Sequence, residues 1–184
     1  LTRLRLRYVA ERLDAVLADA ARAEPTYLDF LDAVLRQEVE AKQRTRVTMA
    51  LKIAHFPTVK TLDDFDFKFQ PSVDQRLVRE LATGRFLTLA ENVLIFGAPG
   101  VGKTHLAIAL GRAVVEAGHS VLFVSATALL AARARAETEG QLADRLMFFS
   151  KPKLLIIDEL GYLPFERRSA HLFFQLVARR YERG

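Results

Sequence analysis

The sequence of 184 residues contains no cysteine. Without thiols the chain cannot form a disulfide framework or a thiolate metal site, and it suits a reducing cytosol. No uninterrupted apolar run approaches the roughly 18 residues of a membrane span. The basic segment at residues 1–7 is followed by Glu11, Asp14 and Asp19 instead of the apolar core of a signal peptide. These absences predict a soluble, cytoplasmic protein without a membrane partner.

Hydrophobic residues make up 51% of the chain, and its length suits one domain with a small appendage. Because the sequence begins with Leu1 rather than methionine, we expect the true N-terminus to lie upstream. The net charge of +5 permits a polyanionic partner. Residues 41–62 contain no acidic residue and five basic ones: Lys42, Arg44, Arg46, Lys52 and Lys60. A phosphate-contacting surface and an ordinary solvated helix face are equally open for this stretch.

A glycine-rich stretch is the most specific motif. It reads Gly97, Ala98, Pro99, Gly100, Val101, Gly102, Lys103 and Thr104, and it fits G-x-x-x-x-G-K-[ST] between an apolar run and a helical pattern. Glycines let backbone N–H groups turn toward a triphosphate, and the helix points its positive end at the anion. We call residues 97–104 the glycine loop and predict that it binds nucleotide together with His105. A turn that merely joins a strand to a helix is the alternative.

Two carboxylates, Asp158 and Glu159, follow the apolar run of residues 154–157. The ends of parallel strands line the ligand crevice of an α/β sheet, which places both acids beside the glycine loop. Asp158 and Thr104 suit Mg²⁺ coordination, whereas Glu159 suits polarisation of the water that attacks the γ-phosphate. We therefore predict a metal site at Thr104 and Asp158, and catalytic roles for Glu159 and the phosphate-contacting Lys103. An acidic strand end without a metal is the alternative.

The identity of the nucleotide needs a separate argument. Residues 158–161 also fit the D-x-x-G element of signalling GTPases. The guanine-reading Asn-Lys-x-Asp is absent from the sequence. GTPases of the Ras type orient their water with glutamine, so Glu159 favours ATP.

The pattern of apolar residues predicts an N-terminal helical module at residues 1–60 and an α/β core at residues 61–184, with a parallel sheet flanked by helices. The N-terminal helices are expected at residues 4–22 and 26–53. The expected strands are residues 93–96, 121–124 and 154–157. Core helices are expected from a capping box at Ser72 to Gly84 and at residues 103–117, 127–135, 141–149 and 168–181.

Residues 61–69 carry Phe65, Phe67 and Phe69 at alternate positions. Such alternation predicts an extended segment laid on an apolar surface. The rings could stack on a base, but aromatic side chains contribute mainly by burial, so we favour anchoring in the core.

Several of these segments together resemble the IstB-like ATPases, the ATP-dependent helpers of a class of bacterial transposases. The similar segments are residues 61–67, 97–107, 109–111, 154–162 and 179–183, so the resemblance covers nearly the whole chain. The glycine loop alone is shared with many ATPases, whereas GKTHLA together with DELGY is much narrower. The replicative-helicase loaders of the DnaC type share the same core and are the nearest alternative.

The resemblance implies an AAA+ P-loop NTPase fold. ATP binding would drive self-assembly into an oligomer on duplex DNA, and the assembly would recruit and regulate a transposase. Lys103 and Thr104 match the Walker A lysine and hydroxyl, and Asp158 and Glu159 match the Walker B metal ligand and the hydrolytic glutamate. The candidates for DNA contact are Lys42, Arg44, Arg46 and Lys52. A loader would instead grip a replicative helicase through its N-terminal helices and use ATP as a switch.

The same resemblance places a polar sensor and a trans-acting arginine beyond Gly184. It also places the missing strand between the two Walker strands, so we expect a truncated core and an incomplete sheet with exposed apolar edges. A fragment that binds nucleotide weakly and lacks activity is therefore a third hypothesis. The arginines of the last helix are expected to be solvated or to face DNA rather than to replace the trans arginine. They are Arg167, Arg168, Arg179 and Arg180.

Overall fold

The computed structural model describes residues 1, 3–162 and 167–182. Contacts within the chain separate two compact units, Leu1–Met49 and Ala50–Gly184. The boundary expected from the sequence is residue 60. Residues just after Met49 belong to the second unit, where the Ala54 carbonyl accepts a 2.8 Å hydrogen bond from the backbone N–H of Phe123.

The first unit is formed by helix α1 (Arg7–Ala23) and most of helix α2 (Tyr27–Ile53). Thr26 begins α2 as predicted, because its hydroxyl accepts from the backbone N–H of Asp29 at 3.2 Å and donates to the Asp29 carboxylate at 2.6 Å. The predicted apolar stripe of α1 is buried or half-buried at five positions: Leu6, Val9, Leu13, Val16 and Ala20.

A buried carboxylate joins the two helices. Glu38 of α2 is 3% exposed, and its Oε2 accepts from the backbone N–H of Val9 at 3.0 Å. Val9 lies in the first turn of α1, where backbone N–H groups have no partner within the helix. The hydrogen bond from Val9, supported by Lys42 at 3.4 Å, lowers the pKa of Glu38. Glu38 therefore caps α1 from the neighbouring helix.

The second unit contains two strands and six α-helices among the described residues. The strands are β1 (Val121–Ser125) and β2 (Leu154–Asp158). The helices are α3 (Gln75–Ala82), α4 (Arg85–Thr88), α5 (Lys103–Glu116), α6 (Ala126–Thr138), α7 (Leu142–Ser150) and α8 (Arg167–Tyr181). A 3-10 turn at Leu160–Tyr162 follows β2. No helix in the described ranges is long and apolar enough to cross a membrane.

The start of α3 differs from the prediction by a few residues. The helix is capped by Asp74, whose carboxylate accepts from the backbone N–H groups of Arg76 and Leu77, and not by Ser72. Aspartate is as good a helix cap as serine, and Asp74 directly precedes Gln75, the first residue of α3. Gly84 closes the helix as predicted, with a left-handed φ of 76°.

The two strands pair in parallel, from Val121 with Leu154 to Ser125 with Asp158. Helix α5 packs on one face, where Gly111 lies against Ile156. The other face is covered by a cluster containing Leu122, Phe149 and Leu176, from β1, α7 and α8. The prediction of a parallel sheet with helices on both faces is confirmed for these two strands. Residues of β2 are half-buried and not fully buried as its apolar run had suggested.

The strand predicted at residues 93–96 is not formed. These residues have no ladder partner among the described parts of the chain. Leu94 and Phe96 are 70% and 85% exposed, and Ile95 is half-buried against the core. An apolar run encodes a strand only where a neighbour satisfies its backbone N–H and C=O groups, and here the neighbour is lacking.

The predicted extended segment at residues 61–69 is a series of turns. The backbone N–H of Phe65 donates to Leu62 O, and that of Phe67 donates to Phe65 O, so the chain bends at each ring. The Asp66 carboxylate also accepts from two backbone N–H groups, which favours a turn over a strand. Phe65 is buried and Phe67 packs against the same cluster, whereas Phe69 is 73% exposed. Core anchoring is therefore correct for Phe65 and Phe67.

Arg180 is not the solvated arginine expected from the sequence. Its guanidinium donates to the carbonyl oxygens of Phe149, Pro152 and Lys153 at 3.3, 2.8 and 2.8 Å. Burial lowers the pKa of Arg180. These bonds fasten α8 to the chain entering β2. Arg179 is half-buried, and the side chains of Arg167 and Arg168 lie outside the described residues.

Candidate functional site

The glycine loop precedes α5 and bends through two left-handed residues. Gly100 and Gly102 have φ angles of 81° and 91°, a region that residues with a Cβ rarely adopt. Gly102 is also the N-cap of α5. The N–H groups at the start of an α-helix lack partners inside the helix. The loop therefore leads into a set of free N–H donors at the positive end of a helix.

Lys103 closes the glycine loop on itself. Its Nζ donates to the carbonyl oxygens of Gly97 at 2.9 Å and Ala98 at 2.7 Å. The side chain is half-buried. The ammonium group thus lies beside the first two residues of the loop, within reach of an anion held there.

A hydrogen bond joins the two predicted halves of the site. Thr104 Oγ1 donates to Asp158 Oδ2 at 2.9 Å, although the two residues are 54 positions apart. Thr104 is the second residue of α5 and Asp158 ends β2, so packing of α5 on the sheet brings them together. The hydroxyl and the carboxylate predicted as metal ligands are therefore direct neighbours.

Glu159 lies next to this pair and is exposed. Its backbone N–H donates to Asp158 Oδ1 at 3.0 Å, and its φ of 61° is left-handed. A non-glycine residue in this region stores backbone strain, which is common at functional sites. The exposed carboxylate is free to accept a hydrogen bond from water.

The donor set fits Mg²⁺ better than a transition metal. The described residues contain no group of three or more His, Cys, Asp or Glu side chains placed to hold a metal. Mg²⁺ usually binds through one or two carboxylates together with substrate phosphates and water. Thr104 and Asp158 provide such a partial set.

The side chain of His105 faces away from Asp158 and toward the turn of residues 61–67. Its Nε2 is 2.8 Å from the carbonyl oxygen of Thr61, and its ring meets that of Phe65 edge to face with centroids 5.3 Å apart. The hydroxyl of Thr61 donates to Asp64 and lowers the pKa of that carboxyl. Any part of His105 in nucleotide binding is therefore left to its backbone N–H.

A cavity of about 180 Å³ adjoins the glycine loop. Its walls are Gln70, Ser72, Val73, Ile95, Phe96, Gly97, Ala98, Val101, Lys103 and Leu106. The contribution of Gln70, Ser72 and Val73 to this cavity was not predicted from the sequence. Their sequence signal is a helix start at Ser72, which points to a cap and not to a ligand site.

The four basic candidates of α2 are exposed but do not form one face. Lys42 pairs with Glu38 at 3.4 Å and Arg44 with Glu40 at 3.9 Å. Successive residues of a helix are about 100° apart, so Lys42 and Arg46 share a side while Arg44 lies nearly opposite. In the described part of the chain Arg46 and Lys52 form no ion pair.

The whole chain, residues 1–184, matches the family described as "IstB-like ATP binding protein". The chain belongs to this family. The resemblance noted from the sequence is thereby confirmed, and with it an ATP-binding family assignment. The glycine loop and the Thr104–Asp158 pair lie inside the matched range.

Relatives of the chain are encoded by insertion sequences. It is 45% identical, over its full length and 69% of the relative, to "Insertion sequence IS21 putative ATP-binding protein" of Pseudomonas aeruginosa. The corresponding protein of IS5376 from Geobacillus stearothermophilus is 44% identical over 98% of this chain and 72% of the relative. That of IS232 from Bacillus thuringiensis subsp. berliner is 37% identical over the same shares. The family assignment thus rests on relatives associated with transposable elements.

Proposed function

We propose that this chain binds and hydrolyses ATP with Mg²⁺ through an AAA+ P-loop core, and that it serves as a helper of DNA transposition. The observation that carries the proposal is the 2.9 Å bond between Thr104 and Asp158. It unites a glycine loop with an acidic strand end in the arrangement that a magnesium triphosphate requires.

The phosphates are held by the glycine loop and the first turn of α5. The N–H groups of Lys103, Thr104 and His105 have no partners within the helix, so they are available to phosphate oxygens. Lys103 turns from the carbonyl groups of Gly97 and Ala98 toward the β- and γ-phosphates. The apolar part of the adjoining cavity accepts the base, and Gln70 and Ser72 are polar side chains on its wall.

Thr104 and Asp158 hold the metal. When bound, Mg²⁺ neutralises charge on the β- and γ-phosphates. The Thr104 hydroxyl and the Asp158 carboxylate, 2.9 Å apart, are the groups that would hold the ion, with Asp158 acting through a water. Glu159 accepts a proton from the water that attacks the γ-phosphate.

The names of the relatives mention insertion sequences and ATP binding, and the proposed role in transposition goes beyond those names. We propose that the oligomer assembles on duplex DNA and regulates the transposase of the same element, with Lys42, Arg44, Arg46 and Lys52 contacting the DNA. A helicase-loader role has no specific support in the relatives described above. Capture of a transposase, and not a hexameric helicase, by the chain in a pull-down is the expected result.

Two variants test the chemistry. Lys103→Ala is expected to abolish Mg-ATP binding in a calorimetric titration, whereas Lys151→Ala, an exposed lysine at the approach to β2, leaves it unchanged. Glu159→Gln is expected to keep binding and to stop phosphate release. The control for Glu159→Gln is Glu116→Gln, a substitution at an exposed position at the end of α5. Normal hydrolysis by the Glu159 variant would refute the role given to that carboxylate.

A further inference from the structure

The turn formed by residues 61–67 packs against the glycine loop at Gly102. A Cβ added to Gly102 would lie 2.8 Å from Phe65 Cε2, closer than real Cβ atoms approach, and in ordinary contact with Phe65 Cζ at 3.5 Å. Phe65 is only 8% exposed and shares a core cluster with Leu106 and Leu110 of α5. The ring cannot swing away without opening this cluster. Gly102 therefore lies against a fixed wall.

A second contact holds the same junction. His105 Nε2 lies 2.8 Å from Thr61 O, and because a carbonyl only accepts, Nε2 carries the proton and donates. Thr61 is itself held by Asp64, since its hydroxyl donates to the carboxylate at 2.6 Å and accepts from the Asp64 N–H at 3.3 Å. The acceptor for His105 is thus a fixed group and not a mobile loop carbonyl.

The two contacts, Phe65 with Gly102 and His105 with Thr61, hold the start of α5 on a side different from that of the metal site. Consecutive helical residues point about 100° apart. Thr104 accordingly reaches Asp158, while His105 reaches the turn. The junction of loop and helix is fixed by the sheet on one side and by the turn on the other.

We propose that Phe65 is a positioning residue for phosphate binding, with His105 and Thr61 as its second anchor. The proposal rests on the function proposed above. Gly102 needs a left-handed φ, and glycine loses more conformational freedom on ordering than any other residue. The Phe65 ring removes that freedom before the ligand arrives, so binding does not have to supply the ordering. The alternation of aromatic residues in the sequence favoured core anchoring for Phe65, with stacking on a base as the alternative, and neither includes this role.

The test separates positioning from core stability in the full chain. Phe65→Ala removes the ring that lies against Gly102. Phe65→Leu keeps an apolar side chain in the core cluster but lacks the ring atoms nearest Gly102. Val78→Ala is the control, because Val78 belongs to the same cluster from α3. Calorimetry would use two probes, Mg-ATP and inorganic tripolyphosphate with Mg²⁺, since the second has phosphates and no base.

Both Phe65 variants are expected to lose affinity for both probes by the same factor, on the order of tenfold. Val78→Ala should change either affinity by less than about twofold, whatever it does to the unfolding temperature. Equal affinities in Phe65→Leu and Val78→Ala would overturn the proposal. So would a loss confined to Mg-ATP, because the ring would then act on the base. If the unchanged chain binds neither probe, the proposed function fails with it.

His105 supplies a second test, in which Phe65 itself is unchanged and both variants lack the imidazole ring that meets it. His105→Ala removes the donor to Thr61 O and should weaken tripolyphosphate binding severalfold, whereas His105→Gln keeps an N–H donor and should recover most of it. Equal loss in the two variants would count against the His105–Thr61 anchor.

Discussion

The substitution Gly111→Ala has two opposing effects on the free energy of unfolding. Replacing glycine in a helix interior by alanine ordinarily stabilises by about 1 kcal/mol, because the unfolded chain has less freedom to lose. Here the new Cβ would lie 2.6 Å from Ile156 Cδ1 and 2.9 Å from Phe56 Cε1. Overpacking of this kind costs typically about 1 to 3 kcal/mol. The net expectation is a loss of about 1 kcal/mol, or about 2 to 4 °C in melting temperature.

Thermal and urea unfolding of the full chain would measure this change. Ile156→Val removes the atom of closest approach, so the double variant should be less destabilised than the sum of the single variants by at least about 0.5 kcal/mol. An increase in stability for Gly111→Ala, or simple additivity, would refute the reasoning. The contact also concerns the site, because Gly111 lies about two turns along α5 from Thr104 and lets the helix approach β2 closely.

Three further expectations follow from the structure. The lowered pKa of Glu38 means that its ionised carboxylate stabilises the fold at pH values above the ordinary carboxyl pKa of 4.5. This stabilisation is lost as the pH falls through the lower pKa of the folded state. Glu38→Gln should therefore reduce the acid dependence of the melting temperature, and Glu40→Gln, exposed on the same helix, should not. Arg180→Ala leaves three carbonyl groups without their donor and should cost about 2 kcal/mol in urea unfolding, against about 0.5 kcal/mol or less for Arg179→Ala. If α2 contacts DNA phosphates, affinity should fall steeply between about 50 and 200 mM salt, and a flat response would remove that role.

Local signals account for much of the geometry of the candidate site. The glycine loop, the helix that follows it and the acidic strand end each depend on a short stretch of sequence, and packing of α5 on the sheet then joins Thr104 to Asp158. The start of α2 was predictable for the same reason, since Thr26 and Asp29 satisfy each other within one turn.

What the sequence could not predict depends on distant partners. Residues 93–96 have the composition of a strand, but a strand requires a neighbour in space. The alternation of Phe65 and Phe67 indicated extension, yet Asp66 between them bonds to the backbone and favours turns. Arg180 has an ordinary helical context, and only the fold shows the three carbonyl oxygens that surround it.

The bonds from Lys103 to its own loop have a consequence for selectivity. An incoming anion must displace the Lys103 ammonium from two carbonyl oxygens. These carbonyl groups therefore compete with the anion for the lysine. Small, weakly held anions such as chloride gain too little to displace it, whereas a polyphosphate replaces both bonds and adds the backbone donors. Under the proposed function, we therefore expect the loop to favour ligands that offer several phosphate oxygens over small anions, whatever base the ligand carries.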